Sequence, residues 1–135
     1  MVSTAIGALA ASGATRTDLG LDMAQRILSA NPVQPSEKRN RVVIVFTDGA
    51  PTSFNGFEKD VADNAITYAG TIKTTGATVY TIGIFAGADA TSAGTEPSGD
   101  LDQNSRSLNS ACNWFMQQVS SNNGTPRTPL SLIHI

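Results

Sequence analysis

An aspartate and a glycine follow the most apolar run of the chain. Residues 42–46 are continuously β-branched and aromatic, and Thr47, Asp48 and Gly49 come directly after them. If this run is a strand of an open α/β sheet, Asp48 leaves its carboxyl end, where ligands of such sheets bind. A carboxylate at that point suits a metal cation or phosphoryl chemistry. A second interpretation stays open, in which Asp48 only starts a turn and Gly49 supplies a positive φ.

A second polar segment, residues 13–18, holds two threonines and an aspartate at the start of a predicted helix. Thr17 suits the N-cap of that helix, and Asp18 falls in its first turn, where the helix dipole favours a carboxylate. Capping explains one hydroxyl and leaves Thr15 without a structural role. Thr15 is therefore a candidate functional residue.

The composition is that of a single globular domain and excludes several classes of site. The 135 residues carry 9 Lys and Arg against 11 Asp and Glu, a formal charge of −2. The basic residues are scattered, which argues against a nucleic-acid partner. One cysteine, Cys112, and one histidine, His134, are too few for a disulfide within the chain or a Cys/His zinc site. No run approaches the roughly 20 apolar residues that span a bilayer, so no membrane insertion is predicted.

Hydrophobic periodicity predicts helices alternating with strands, including one βαβ unit. An unbroken apolar run such as 42–46 is typical of a strand covered on both faces. Cys112 lies on the apolar stripe of the last helix, which predicts a buried, unreactive thiol. In chain order the predicted elements are a short helix at 5–10, a helix at 17–30 with Leu21, Ala24, Ile27 and Leu28 on its stripe, a strand at 42–46, a helix with its stripe over 61–72, a strand at 78–85 and a helix from about Ser105.

Two segments carry no periodic pattern. Residues 86–104 are rich in Gly, Ser, Thr, Asp and Glu and form a long polar loop that is either functional or disordered. Residues 123–135 are predicted to be an unstructured tail, and two origins stay open for it, native protein or a junction artefact. The folded domain is therefore assigned to residues 1–122.

The order of these segments resembles that of a von Willebrand factor type A domain. The resemblance lies in Gly13-Ala14-Thr15-Arg16-Thr17-Asp18, in the strand running into Thr47-Asp48-Gly49, and in the later strand Val79-Tyr80-Thr81-Ile82-Gly83-Ile84. It implies an α/β, Rossmann-like fold of three layers, in which helices flank a parallel sheet. It also implies that the first strand of the family fold lies before Met1 and that its last strand and helix are missing, so the domain is partial.

Members of this family often bind a divalent cation at the top of the sheet. The resemblance assigns Thr15 and Asp48 as metal ligands for Mg²⁺ or Mn²⁺ and leaves Thr17 to the helix cap. The family's Asp-x-Ser-x-Ser loop does not occur in this sequence. Because Mg²⁺ takes six oxygen ligands, two protein ligands predict a weak site.

The resemblance implies a non-enzymatic adhesion module whose bound cation takes an acidic side chain from a partner protein. It favours an extracellular or cell-surface location, with a cytoplasmic one left open. Two alternatives remain. One is a phosphoryl-transfer enzyme that uses Asp48, although no Gly-rich phosphate loop is present. The other is a structural domain of the same family with a vacant metal site.

Overall fold

In the described part of the chain, the fold combines three helices with a two-stranded sheet. The structure is a computed structural model that describes residues 13–34, 36–37, 39–85, 87–89 and 92–121. The predicted helix at 5–10 and the tail at 123–135 lie outside these residues. The elements are α1 (Thr17–Ala30), β1 (Val42–Thr47), α2 (Lys59–Thr74), β2 (Thr78–Gly83) and α3 (Leu108–Val119).

The two strands are parallel and joined through α2, as the sequence predicts. Their register runs from Val42 opposite Thr78 to Thr47 opposite Gly83. Beyond the last pair, the N–H of Ile84 donates to the carbonyl of Thr47 at 3.0 Å. Since parallel strands end at the same edge, Asp48 and the segment after β2 emerge side by side.

The core lies between one face of the sheet and the helices α2 and α3. Strand alternation turns Val79 and Thr81 of β2 toward α3, where the Thr81 hydroxyl donates to the carbonyl of Met116 at 3.1 Å. The rings of Phe57 and Phe115 meet edge to face at a centroid distance of 6.5 Å. Fully buried side chains in this cluster include Phe57, Ala65, Ala69, Ile72, Val79, Cys112, Phe115, Met116 and Val119.

The opposite face of the sheet is open in this structure. Val42, Ile44 and Phe46 of β1 are 52, 62 and 65% exposed, and Tyr80 of β2 is also exposed. The prediction that β1 is covered on both faces is therefore wrong for the described residues. The helices described here form one layer on the sheet, and the second layer that the resemblance implies is not among them.

Helix α1 packs beside α2 and differs from its prediction in two respects. Its N-cap is Arg16, which makes no side-chain capping bond, so the assignment of Thr17 to the cap is wrong. Leu21 is buried as predicted, whereas Ile27 lies with Leu19 and Met23 on an exposed stripe. None of the helices in the described part of the chain is long and apolar enough to span a membrane.

The polar segment after β2 is packed against the domain wherever it is described. Gly94 has a φ of +72° and lies so close to α3 that an added Cβ would meet the backbone of Ser110 and Trp114. Lys59 binds Asp63 at 2.6 Å and Glu96 at 3.1 Å, and its ammonium lies 5.1 Å from the centre of the Trp114 ring. An isolated antiparallel bridge joins Leu101 to Phe57. These contacts hold the end of the segment beside the start of α2.

The burial of Cys112 makes its reactivity a test of the fold. Burial raises the pKa of the Cys112 thiol to about 12, so at pH 8 the native protein holds almost no thiolate. We expect iodoacetamide to leave Cys112 unmodified in the native protein and to alkylate it in guanidinium chloride, as measured by mass spectrometry. Rapid alkylation of the native protein would mean that Cys112 is accessible and that α3 is packed differently from this structure.

Candidate metal site

A cavity of about 510 Å³ opens at the carboxyl end of the sheet. Besides Phe85, which follows β2, three stretches of chain form it: the segment before α1, the loop from Asp48 to Gly56, and the residues around the start of α3. Thr15 and Asp48, the two residues assigned from the sequence as metal ligands, both line it. The fold therefore brings them together at the end of the sheet predicted for a ligand.

Thr15 is held in place by its own backbone. Its carbonyl oxygen accepts the N–H of Thr17 at 2.9 Å and the N–H of Thr52 at 3.1 Å. The second bond ties the segment before α1 to the loop after β1, which is 37 positions further along the chain. These two hydrogen bonds therefore fix the backbone of Thr15, to which its side chain is attached, at the cavity wall.

Gly49 leaves room for the hydroxyl of Thr15 next to the residue that follows Asp48. A Cβ added at Gly49 would lie 2.6 Å from Thr15 Oγ1, which is closer than any packing contact allows. The φ of Gly49 is not among the positive values found for other glycines, so the interpretation that it supplies a positive φ is wrong. Thr47 fixes the turn, because its hydroxyl donates to the Gly49 carbonyl at 3.0 Å and accepts the Gly49 N–H at 3.2 Å.

The cavity carries a single charge. Asp48 is the one acidic side chain among the described residues that line it, and none of them is Lys, Arg or His. Neither the Asp48 carboxylate nor the Thr15 hydroxyl makes a hydrogen bond or an ion pair with any other described residue. The unpartnered Thr15 hydroxyl and the unpartnered, negatively charged Asp48 carboxylate offer oxygen donors, the type that Mg²⁺ and Mn²⁺ prefer.

The donor set is nevertheless small. Within the part of the chain that the structure describes, no group of three or more His, Cys, Asp or Glu is arranged to hold a metal ion. Thr17 does not line the cavity, and its buried hydroxyl has no hydrogen-bond partner among the described residues. Thr15 and Asp48 therefore fit a hard cation as two of its six ligands, with water as the remaining source of oxygen.

An ion pair next to Thr15 braces the same segment. Arg16 donates to both carboxylate oxygens of Asp18, from Nε at 2.8 Å and from Nη2 at 2.7 Å. These bonds hold the pKa of the Asp18 carboxyl below its usual value, although its burial acts in the opposite direction. Because Arg16 makes two bonds to Asp18, the position of Arg16, the residue that follows Thr15, is fixed.

Glu58 organises the far wall of the cavity, and the sequence did not reveal it. Its carboxylate accepts the Ser53 hydroxyl at 2.5 Å, the Thr52 hydroxyl at 3.0 Å and the Phe54 N–H at 3.0 Å. Hydrogen bonding from Ser53, followed by that from the other donors, lowers the pKa of Glu58 to about 2. The donors lie four to six positions before the acceptor, a spacing that matches no standard capping motif.

The last residues of the predicted polar loop also reach the cavity. Gln103 and Asn104 line its rim together with Ser105 and Asn109. Gln103 and Asn104 are the final residues of the predicted 86–104 loop, so the end of this loop borders the site. The side chains at the rim add neutral amide and hydroxyl groups and no charge.

The hydrogen bonds to Glu58 make its pKa a sensitive measure of the loop geometry. We expect Ser53→Ala to raise the pKa of Glu58 from about 2 toward the usual value, because a donor to the ionised form is lost. Ser36→Ala, an exposed serine in the linker before β1, is the matched control and should leave it unchanged. Carboxyl carbon shifts followed by NMR from pH 7 to pH 2 measure both variants. A Glu58 that titrates normally in the unmodified chain would contradict the loop structure.

Comparison with known proteins agrees with this architecture. Residues 1–123 match the profile of the von Willebrand factor type A domain. Neither the curated proteins nor the solved structures gave a match to the chain. The matched profile covers all five elements and both residues of the candidate site. The chain therefore belongs to the von Willebrand factor type A family, whose α/β domains serve as protein-interaction modules.

Proposed function

We propose that this domain binds a partner protein through a divalent cation, Mg²⁺ or Mn²⁺, held by Thr15 and Asp48. The observation that carries the proposal is the pair of unpartnered oxygen atoms facing one cavity, whose described lining has one negative charge and no positive one. A hard cation satisfies both oxygen atoms and neutralises Asp48. The partner supplies an acidic side chain to one of the cation's remaining positions.

The charge of the cavity makes the cation necessary for such a partner. A carboxylate that approached the cavity without a cation would meet Asp48 and no basic side chain among the described lining residues. Two like charges at 4 Å repel by about 1 kcal/mol in water and by more where water is partly excluded. A divalent cation between the two carboxylates converts this repulsion into attraction, so partner binding is coupled to metal binding.

The affinity for the cation alone is low under this proposal. Mg²⁺ requires near-octahedral geometry and gives up its water reluctantly, so a site with two protein ligands leaves most of its shell to water. A dissociation constant of about 1 mM corresponds to about −4 kcal/mol, which is reasonable for one carboxylate and one hydroxyl. A partner carboxylate adds a third ligand and strengthens the binding of the metal.

The two alternative functions have less support. A phosphoryl-transfer enzyme needs groups that hold the transferred phosphoryl, and no basic side chain lines the described cavity. A structural domain without metal leaves the Thr15 hydroxyl and Asp48 carboxylate without a role. The proposal also assigns the domain to the cell surface or the extracellular space, the location of many members of its family.

Calorimetric titration with MgCl₂ tests the metal site directly. We expect binding with a dissociation constant of about 1 mM, lost in Asp48→Asn because the only charged ligand becomes neutral. Asp60→Asn, an exposed carboxylate on α2, is the matched control and should bind as the unmodified chain does. Unchanged binding in Asp48→Asn would contradict the assignment. A micromolar dissociation constant would contradict a site of only two protein ligands.

A second experiment tests the placement of the Thr15 hydroxyl without removing it. Gly49→Ala puts a methyl group 2.6 Å from Thr15 Oγ1 and forces the hydroxyl to rotate away, so we expect Mg²⁺ binding to weaken severalfold while the domain stays folded. Gly20→Ala is the matched control, since an added Cβ there meets nothing within 4 Å. It should leave Mg²⁺ binding unchanged and stabilise α1 by up to about 1 kcal/mol. Equal Mg²⁺ affinity in the two variants would remove Thr15 from the site.

A further inference from the structure

Two phenylalanines in one loop have opposite environments. Phe57 is 0% exposed and belongs to the core, whereas Phe54, three residues earlier, is 91% exposed. Phe54 is the most exposed of the large hydrophobic side chains in the described part of the chain. A single exposed apolar residue is ordinary on a protein surface, so its exposure alone indicates nothing. Its fixed position and its neighbours are what distinguish it.

The loop holds the backbone of Phe54 in place while its side chain is exposed. The N–H of Phe54 donates to Glu58 Oε1 at 3.0 Å and to Thr52 Oγ1 at 3.1 Å. Below it, the N–H of Glu58 donates to the Pro51 carbonyl at 2.9 Å, which closes the loop. The backbone of Phe54 is therefore ordered before any partner arrives, so a partner loses little by ordering it.

The other side of the loop is tied to the segment before α3. Phe57 and Leu101 exchange both backbone hydrogen bonds, at 2.8 and 2.9 Å. Gly56 has a φ of +68°, and a Cβ there would collide with the Leu101 carbonyl. Backbone contacts therefore hold the loop on both sides of Phe54.

Phe54 lines the same cavity as Thr15 and Asp48. Around it, the amide side chains of Asn55, Gln103 and Asn104 line the rim and are exposed, with no hydrogen-bond partner among the described residues. Each amide both donates and accepts, as the backbone of a bound polypeptide requires. The described lining of the cavity thus combines one acidic group, several neutral amides and one exposed aromatic ring whose backbone is ordered.

We propose that Phe54 is the apolar anchor of the partner interface. The partner is a protein that presents a carboxylate to the cation at Asp48 and, beside that carboxylate in its sequence, apolar side chains that pack on the Phe54 ring. This inference rests on the proposed function, because the carboxylate and the cation fix the position of the partner. Aromatic side chains that are buried near the centre of an interface carry a large share of its binding energy.

A displayed library of random peptides, selected on the full chain with MgCl₂ present, provides the probe. We expect the selected peptides to contain Asp or Glu with apolar residues next to it, and to be released by EDTA. Phe54→Ala should weaken their binding by about tenfold or more, as expected for an interface anchor. Phe54→Leu should keep part of the affinity. Phe54→Ala should leave the affinity for MgCl₂ alone unchanged, since the ring is not a ligand.

The control is Phe46→Ala, the same residue type at a position that is 65% exposed and outside the cavity lining. It should bind the peptides within about twofold of the unmodified chain. Peptides that need Mg²⁺ and bind Phe54→Ala and Phe46→Ala equally well would overturn the anchor and leave the metal-dependent function standing. A selection that yields only peptides indifferent to EDTA and to Asp48→Asn would overturn the proposed function itself, and the anchor with it.

Discussion

The backbone carbonyl of Thr15 is the contact on which the candidate site depends. By accepting N–H groups from Thr17 and from Thr52, it joins the start of α1 to the loop that follows β1. Without this junction, Thr15 and Asp48 would belong to two segments with no fixed relation. With it, the Thr15 hydroxyl lies over Gly49, and only a residue without a side chain fits in that position. The glycine after the aspartate is thus explained by space rather than by backbone conformation.

The electrostatics of the site follow from the absence of basic side chains among the described residues that line it. Each of the three segments contributes polar atoms, but among the described residues Asp48 alone brings a charge. The other acidic group of the region, Glu58, is engaged by hydroxyl and backbone donors, which hold its pKa near 2 and commit it to building the loop. One carboxylate is thereby left for a ligand and the second is used for structure. This division suits a site whose occupancy by a partner depends on a cation.

Much of the fold could be predicted from the sequence because its signals are local. The β-branched run of β1 and the three-and-four spacing of apolar residues in α2 and α3 specify their elements independently of the rest of the chain. The placement of Thr15 with Asp48 at one site came from the resemblance to the von Willebrand factor type A domain, since residue types alone left Asp48 open to a turn. The exposure of Ile27 was not predictable, because burial depends on which faces are covered and periodicity does not contain that information. Phe54 is exposed and Phe57 is buried because of backbone hydrogen bonds to Glu58 and Leu101. No local sequence pattern predicts these bonds.

The central claim, that Thr15 and Asp48 hold one cation, is tested most directly by the paramagnetic effect of Mn²⁺ on the amide NMR spectrum. Mn²⁺ broadens signals steeply with proximity, so a small amount added to the ¹⁵N-labelled chain locates the ion. The account predicts that the amide signals of Thr15, Asp48 and Gly49 disappear first and that excess Mg²⁺ restores them. Persistence of these three signals while others broaden would place the cation elsewhere and contradict the account.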